Sequence, residues 1–290
     1  MKILNFGSLN IDHVYRVAHF VAPGETASVL SYQKNAGGKG LNQSIALARA
    51  GAPVCHAGQI GRDGGFLADL LSAEGVDVTH LGVTDQPTGH AVIQVNPEGQ
   101  NCILVCAGAN GTVSADYMRS VVACFGAEDW LLLQNEVAGL PTLLSLAKER
   151  GMRVILNPSP ITEELLHTDL SAVDCFILNE TEGYALTGET EPFAVPDRLA
   201  MLYPRSEILL TLGADGAFWQ VDGKRVYGSA CPVEAVDTTA AGDTFTGYFL
   251  AARAEGASAE EALSLAAKAA AIAVTRPGAA ASVPYRREIG

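Results

Sequence analysis

The sequence predicts an α/β protein: a doubly wound, mostly parallel sheet with helices on both faces, plus a small β-sheet lid. Three observations point there. Short apolar runs alternate with helical patterns along most of the chain. Two segments, 13–35 and about 88–106, lack helical periodicity and alternate residue by residue instead. A length of 290 residues, 48% hydrophobic and 18% charged, allows one large core with no need of disulfide staples. The expected organisation is a single domain over 1–290, with the lid formed by the two inserted segments.

In chain order, Ile3 to Phe6 reads as a strand, Gly38 to Ala50 as a helix, Val54 to Ala57 as a strand and Phe66 to Ala73 as a helix. Trp130 to Leu133 (strand), Leu140 to Lys148 (helix) and the strands Val154 to Leu156, Cys175 to Leu178 and Ile208 to Leu212 continue the alternation. Strands that are apolar on both faces and separated by helices need crossover connections, which make the sheet parallel. The acidic stretch Thr187 to Asp197, with Pro192 and Pro196, is expected to be an exposed loop leading into a helix at Arg198 to Ala200. Tyr248 to Ala252 and the alanine-rich tract Ala262 to Val274 read as buried or half-buried helices. Ser264 and Lys268 interrupt that tract, and no apolar stretch reaches the roughly 18 residues of a membrane span.

In the second unusual segment, Ala91-Val92-Ile93-Gln94-Val95, the turn Asn96-Pro97-Glu98-Gly99 and Cys102-Ile103-Leu104-Val105 form a hairpin pattern. In open α/β sheets ligands sit at the carboxyl ends of the strands, so a β-appendage there would act as a lid.

Charge excludes one class of partner. With 19 basic and 32 acidic residues the net charge is −13, and no basic run exceeds Arg286-Arg287, so the field repels nucleic acid. The six cysteines (55, 102, 106, 124, 175, 231) form no Cys-x-x-Cys pair and the six histidines show no metal-ligand spacing, so the cysteines are expected to be buried free thiols. A reducing cytoplasm fits, and the N-terminus turns polar too soon for a signal peptide.

Two glycine-rich helix starts carry the chemistry. The first is Asn35-Ala36-Gly37-Gly38-Lys39-Gly40-Leu41-Asn42-Gln43. Its glycines let the backbone approach a ligand, and Asn42 presents a carboxamide from the first helical turn. Gly40 follows Lys39 where a P-loop requires Ser or Thr, so that reading fails, and a plain turn explains the motif too. The second start is Asp237-Thr238-Thr239-Ala240-Ala241-Gly242-Asp243-Thr244. Small residues at Ala240, Ala241 and Gly242 leave backbone N–H groups exposed at a helix N-terminus, a pocket for a transferring anion with Asp243 inside it.

These motifs resemble those of the ribokinase-like, phosphofructokinase-B-type carbohydrate kinases. The resemblance covers nearly the whole chain, from Gly7-Ser8-Leu9-Asn10-Ile11-Asp12 to Ala273-Val274-Thr275-Arg276-Pro277-Gly278. It implies an ATP-dependent kinase acting on the primary hydroxyl of a pentose, D-ribose first. Another pentose, deoxyribose or a nucleoside is the alternative acceptor, and a catalytically silent sugar sensor the remote one.

By the same resemblance Asp243 is the base, and the N–H groups of Ala241, Gly242 and Asp243, next to Ala240, stabilise the phosphoryl group. Asn10, Asp12, Gly38, Asn42 and Glu136 bind the sugar, with Lys39 placed to meet phosphate. Asn179, Thr211, Gly213, Gly216 and Gly242 fall on the ATP side, with Asn179 and Glu182 organising hydrated Mg2+. Asp237, Thr239, Ala273, Arg276, Gly278 and Ser282 match positions around an activating K+. Exposed lid strands tend to pair, so a homodimer through the lid is expected.

Two features depart from the family pattern. Ala240 stands where Gly is usual, and the lid is more polar than expected around Lys34, Asn35 and His90.

Overall fold

Ile3–Phe6, the first strand, has no accessible residue, and its parallel neighbours Val54–Gly61 and Trp130–Gln134 enclose it on both sides. The computed structural model, which describes residues 1–290, builds outward from this strand. In chain order the strands are β1 (Ile3–Phe6), β2 (Asn10–Arg16), β3 (Ser31–Gly37), β4 (Val54–Gly61), β5 (Leu81–Thr84), β6 (Gly89–Val95), β7 (Asn101–Cys106), β8 (Trp130–Gln134), β9 (Arg153–Asn157), β10 (Cys175–Asn179), β11 (Glu207–Thr211), β12 (Ala217–Val221) and β13 (Lys224–Gly228). The helices are α1 (Lys39–Ala50), α2 (Gly65–Ala73), α3 (Ala115–Val122), α4 (Leu140–Arg150), α5 (Glu163–Leu166), α6 (Glu180–Thr187), α7 (Val195–Leu202), α8 (Ala241–Ala254) and α9 (Ala259–Val274).

Nine strands form the main sheet, in the order β13-β12-β11-β10-β9-β8-β1-β4-β5. Its strands run parallel except at one edge, where β12 and β13 turn back as antiparallel strands. Two-residue alternation sends each strand into two cores. Ile3 packs with α1, α8 and α9 on one face, while Leu4 and Phe6 pack with α3 and α4 on the other. Helix α8 lies against α1 because Gly247 has no side chain: a Cβ there would come within 2.4 Å of the Ala46 methyl. That approach brings the start of α8 over the start of α1.

The second sheet has the order β3-β2-β6-β7. Its strands reach beyond the segments expected from sequence, since β2 starts at Asn10 and β3 runs to Gly37. Every residue of β7 is exposed, because β7 is a free edge of this sheet.

The expectation of buried thiols is therefore corrected: Cys102 and Cys106 on β7 are exposed, as is Cys124, whereas Cys55 and Cys175 are buried and Cys231 is intermediate. All six are unpaired. The helix after the acidic stretch begins earlier than expected, at Val195, with Pro196 in its first turn where no N–H is needed. No helix is long and apolar enough to cross a membrane.

Candidate active site

Helix α8 starts at Ala240, which adopts φ 60°, ψ 13°, a left-handed conformation that strains any residue with a Cβ by about 1–2 kcal/mol. That turn aims the first amides of the helix outward. The Ala241 N–H bonds to the Thr238 carbonyl at 3.2 Å, whereas the amides of Gly242 and Asp243 have no partner within the chain. The free donors at this helix start are thus those of Gly242 and Asp243, not all three expected from sequence.

Asp243 is 7% exposed and both of its carboxylate oxygens are held. Asn42 Nδ2 donates to Oδ2 at 3.0 Å and Gln43 Nε2 donates to Oδ1 at 2.8 Å. The early glycine motif and the late one therefore meet at this carboxylate, 201 positions apart in the chain. Asn42 keeps its carbonyl oxygen buried and unpaired, an acceptor waiting for a donor.

Polar side chains gather between the lid and the start of α1. Asn10 and Asp12 occupy alternate positions of β2, and Asn10 Oδ1 accepts from Asn110 Nδ2 at 2.8 Å. Burial, then the charge of Glu136, pushes the Asp12 carboxyl up to about 6. Glu136 Oε2 accepts from the Lys39 amide at 2.9 Å and the Ser8 hydroxyl at 2.5 Å, which ties it to the turn into α1. Gly38 makes that turn at φ 96°, and a Cβ there would press on the backbone of Ser8 and Asn10. Among the lid residues, Lys34 reaches away to the ring of Phe66, 4.3 Å from its centroid, and His90 bonds through Nδ1 to the Thr88 carbonyl at 3.0 Å.

Two cavities meet on the other side of Asp243. A polar cleft of about 220 Å3 includes Lys39, Asn179, Glu182, Thr211, Gly242 and Asp243 in its wall. A larger cavity of about 580 Å3 is mainly apolar, with Ala230, Val233, Phe245, Ala267, Ala271 and Val274 among its lining. Thr211, Thr238, Ala241 and Gly242 border both. Gly213 and Gly216, expected on the ATP side, line the apolar cavity and not the polar cleft.

Asn179 and Glu182 form a capping box on α6: Asn179 Oδ1 accepts from the Glu182 amide at 2.9 Å and Glu182 Oε2 accepts from the Asn179 amide at 3.0 Å. This fixes a carboxylate on the cleft wall with one oxygen engaged and one free to meet a water of a hydrated cation.

The cation-loop residues come together in part. Asp237 Oδ2 accepts from the Gly278 amide at 2.8 Å, and Oδ1 accepts from the Thr239 amide at 2.9 Å and hydroxyl at 2.6 Å. Burial opposes the charge of Asp237, but these donors outweigh it and hold the carboxyl below its ordinary range. The Ala273 carbonyl accepts the Arg276 amide at 3.0 Å, and the Arg276 side chain turns to Glu288. Ser282, fully buried, bonds to the Ala279 carbonyl at 2.8 Å rather than to any of the others.

Sequence reasoning missed Gln43, Asn110, Asn157 and the apolar cavity. Only the cavity left a signal: Ala267, Ala270, Ala271 and Val274 recur at helical spacing along one side of the alanine-rich tract.

A buried carboxylate beside unpaired helix-start amides, with a polar cluster on one side and a larger apolar cavity on the other, is the equipment of a phosphotransferase whose acceptor is a small polyhydroxy compound. Comparison with known proteins agrees. The profile of the pfkB family carbohydrate kinases matches residues 1–286. Ribokinase of Haemophilus influenzae is 40% identical over a 299-residue alignment that covers 97% of this chain and 95% of that protein. The structure of ribokinase from Cryptococcus neoformans var. grubii serotype A in complex with ADP superposes with a TM-score of 0.87 at 34% identity, covering 99% of this chain and 98% of that one. Arabidopsis thaliana ribokinase complexed with ribose and ATP gives 0.85 at 32% identity, covering 99% and 97%. The chain belongs to the pfkB family of carbohydrate kinases.

Proposed function

We propose that this chain transfers the terminal phosphoryl group of ATP to the primary hydroxyl of D-ribose, giving D-ribose 5-phosphate and ADP. The observation that carries this is the placement of Asp243, held by Asn42 and Gln43 where the polar cluster meets the two cavities. Asp243 takes the proton of the acceptor hydroxyl, and that oxygen attacks the γ-phosphorus. The free amides of Gly242 and Asp243, with Lys39, neutralise the charge on the phosphoryl oxygens in transit. Asn10, Asp12, the Asn42 carbonyl and Glu136 bind the ring hydroxyls, and Gly38 lets the backbone approach them. The apolar cavity takes the adenine base, beside Gly213 and Gly216, and Thr211 stands at its join with the phosphate cleft.

Glu182 and Asn179 offer oxygen to a hydrated Mg2+, which when bound neutralises charge on the ATP phosphates. Asp237, Thr239, Ala273, Arg276, Gly278 and Ser282 surround or brace the loop that precedes the anion hole, and an all-oxygen donor set there suits K+. Equal turnover in potassium and in tetramethylammonium would remove the K+ reading. The whole chain acts as one kinase domain with the small sheet as its lid.

A homodimer through that lid is supported by the exposed apolar row Ile103, Leu104 and Val105 on the free edge strand β7. A monomer in sedimentation at micromolar concentration would end that reading. Six unpaired thiols and the use of ATP support a cytoplasmic enzyme.

The test of function is steady-state ADP release across a panel of pentoses, deoxyribose and nucleosides. D-ribose is expected to give the highest kcat/KM. Preference for deoxyribose or a nucleoside would reassign the acceptor, and sugar binding without ADP release would make the chain a sensor.

A further inference from the structure

Behind Asp243 lies a buried chain of carboxamides. Gln43 is fully buried, so it touches no substrate. Its Nε2 donates to Asp243 Oδ1 at 2.8 Å and to Asn157 Oδ1 at 3.1 Å, and its carbonyl oxygen accepts from Gln134 Nε2 at 2.6 Å. The other N–H of Gln134 goes to Asn5 Oδ1 at 3.0 Å. Asn5 in turn donates to the Gly40 carbonyl and the Ser44 hydroxyl, each at 2.8 Å. Asn5 is 0% exposed and Gln134 2% exposed, so no water competes for these groups.

The direction of this chain is set at its ends. The Gly40 carbonyl can only accept, so the Asn5 amide nitrogen must face it and the Asn5 oxygen must face Gln134. Gln134 then presents its nitrogen to both Asn5 and Gln43, and Gln43 presents its nitrogen to the carboxylate. Reversing Gln134 would set its oxygen against two other oxygens. Reversing Gln43 would set a carbonyl oxygen against a carboxylate. A backbone group on α1 thus dictates which atom of Gln43 meets the base.

We propose that Gln43 is a positioning residue that fixes the rotation of the Asp243 carboxylate, and that Gln134 and Asn5 fix the orientation of Gln43. Asn42 secures the other carboxylate oxygen but keeps its own carbonyl unpaired, whereas every hydrogen bond of Gln43 goes to a protein group: Asp243, Asn157 or Gln134. The inference rests on the reading of Asp243 as the base. A base displaced by about 1 Å is expected to lose up to about 100-fold in rate with substrate binding kept.

The test is steady-state kinetics of the full chain with saturating ATP and the acceptor it turns over best. Gln43→Met keeps the length and removes the hydrogen bonds. It is expected to lower kcat about 10- to 100-fold, with KM for ATP and for the acceptor within about threefold. Gln134→Met, one step removed, should lower kcat by a smaller factor in the same pattern, and it carries the test if Gln43→Met does not fold. Added to Asp243→Asn, Gln43→Met should cost less than about a further twofold, because a residue that acts only through the base has nothing left to position.

An unchanged kcat in both Met variants, an effect confined to KM, or an equal loss with and without the Asp243 carboxylate would overturn the inference while leaving the kinase reading intact. A wild-type chain inert toward every acceptor would instead sink the kinase reading, and the positioning role with it.

Discussion

On the lid side of Asp243 the groups proposed to meet the acceptor are carboxylates and carboxamides: Asn10, Asp12, Asn42 and Glu136. On the far side they are mostly methyl and methylene groups, from Ala230, Val233, Ala267, Ala271 and Val274. Asn10, Asn42 and Glu136 are already engaged with the protein, as the bonds from Asn110 to Asn10, from Asn42 to Asp243 and from Lys39 and Ser8 to Glu136 show. Each therefore has a fixed direction, and a ligand lacking the matching hydroxyl leaves a buried polar group unpaired, which discriminates strongly. Apolar walls discriminate by shape and size only. In the proposed function one side of the cleft chooses the acceptor and the other holds the common donor.

The largest test of that contrast is at the junction. Asp243→Asn is expected to lower kcat by about 10²- to 10⁴-fold with both KM values within a few-fold, measured by ADP release. A comparable loss in KM for one substrate alone would assign the carboxylate to one side instead of to the chemistry.

Next in size is Gly242→Val. A Cβ at Gly242 would meet nothing within 4 Å, so the variant should keep its thermal midpoint while its side chain enters the passage shared by both cavities. A fall of about 100-fold in kcat/KM for ATP is expected. Full activity would mean that phosphate does not pass there.

A smaller effect separates the two sides by pH. The Asp12 carboxyl is raised to about 6, so below that pH it takes up a proton and loses the charge that strengthens hydrogen bonds from sugar hydroxyls. The acceptor KM should rise toward tenfold per pH unit below about 6, while the ATP KM stays flat. In Asp12→Asn that acid limb should vanish, and its survival there would assign it to another group.

The smallest effect concerns stability. Ala240→Gly relieves the left-handed strain but loosens the unfolded chain, a net gain of up to about 1 kcal/mol. Thermal unfolding should show a midpoint higher by roughly 2–3 °C. A lower midpoint would mean that the Ala240 methyl packs usefully.

Much of the fold could be read from periodicity. The apolar runs at Ile3, Val54, Trp130, Val154, Cys175 and Ile208 all lie in parallel strands of the main sheet. The lid hairpin across Asn96 to Gly99 pairs Val95 with Asn101. What periodicity missed has a common cause. Cys102 and Cys106 alternate as buried strand residues do, yet nothing in local spacing tells whether another layer covers the strand. The antiparallel edge β12 and β13 follows the turn through Gly213 and Gly216, which the resemblance assigned only to the ATP side. Asn110, Asn157 and Gln43 are polar residues whose partners lie far away in the chain.

The amino-acid order alone settles what is local: which residues alternate, where glycines permit a turn, and that small residues leave amides open before Asp243. It also carries enough ordered motifs to identify the family. Which amides grip that carboxylate, which walls form the apolar cavity and which thiols meet solvent depend on the approach of α1 and α8 and on what covers each sheet. Those contacts join positions some 200 residues apart. Side-chain packing such as that of Gly247 on Ala46 sets such distances, and no local pattern encodes them.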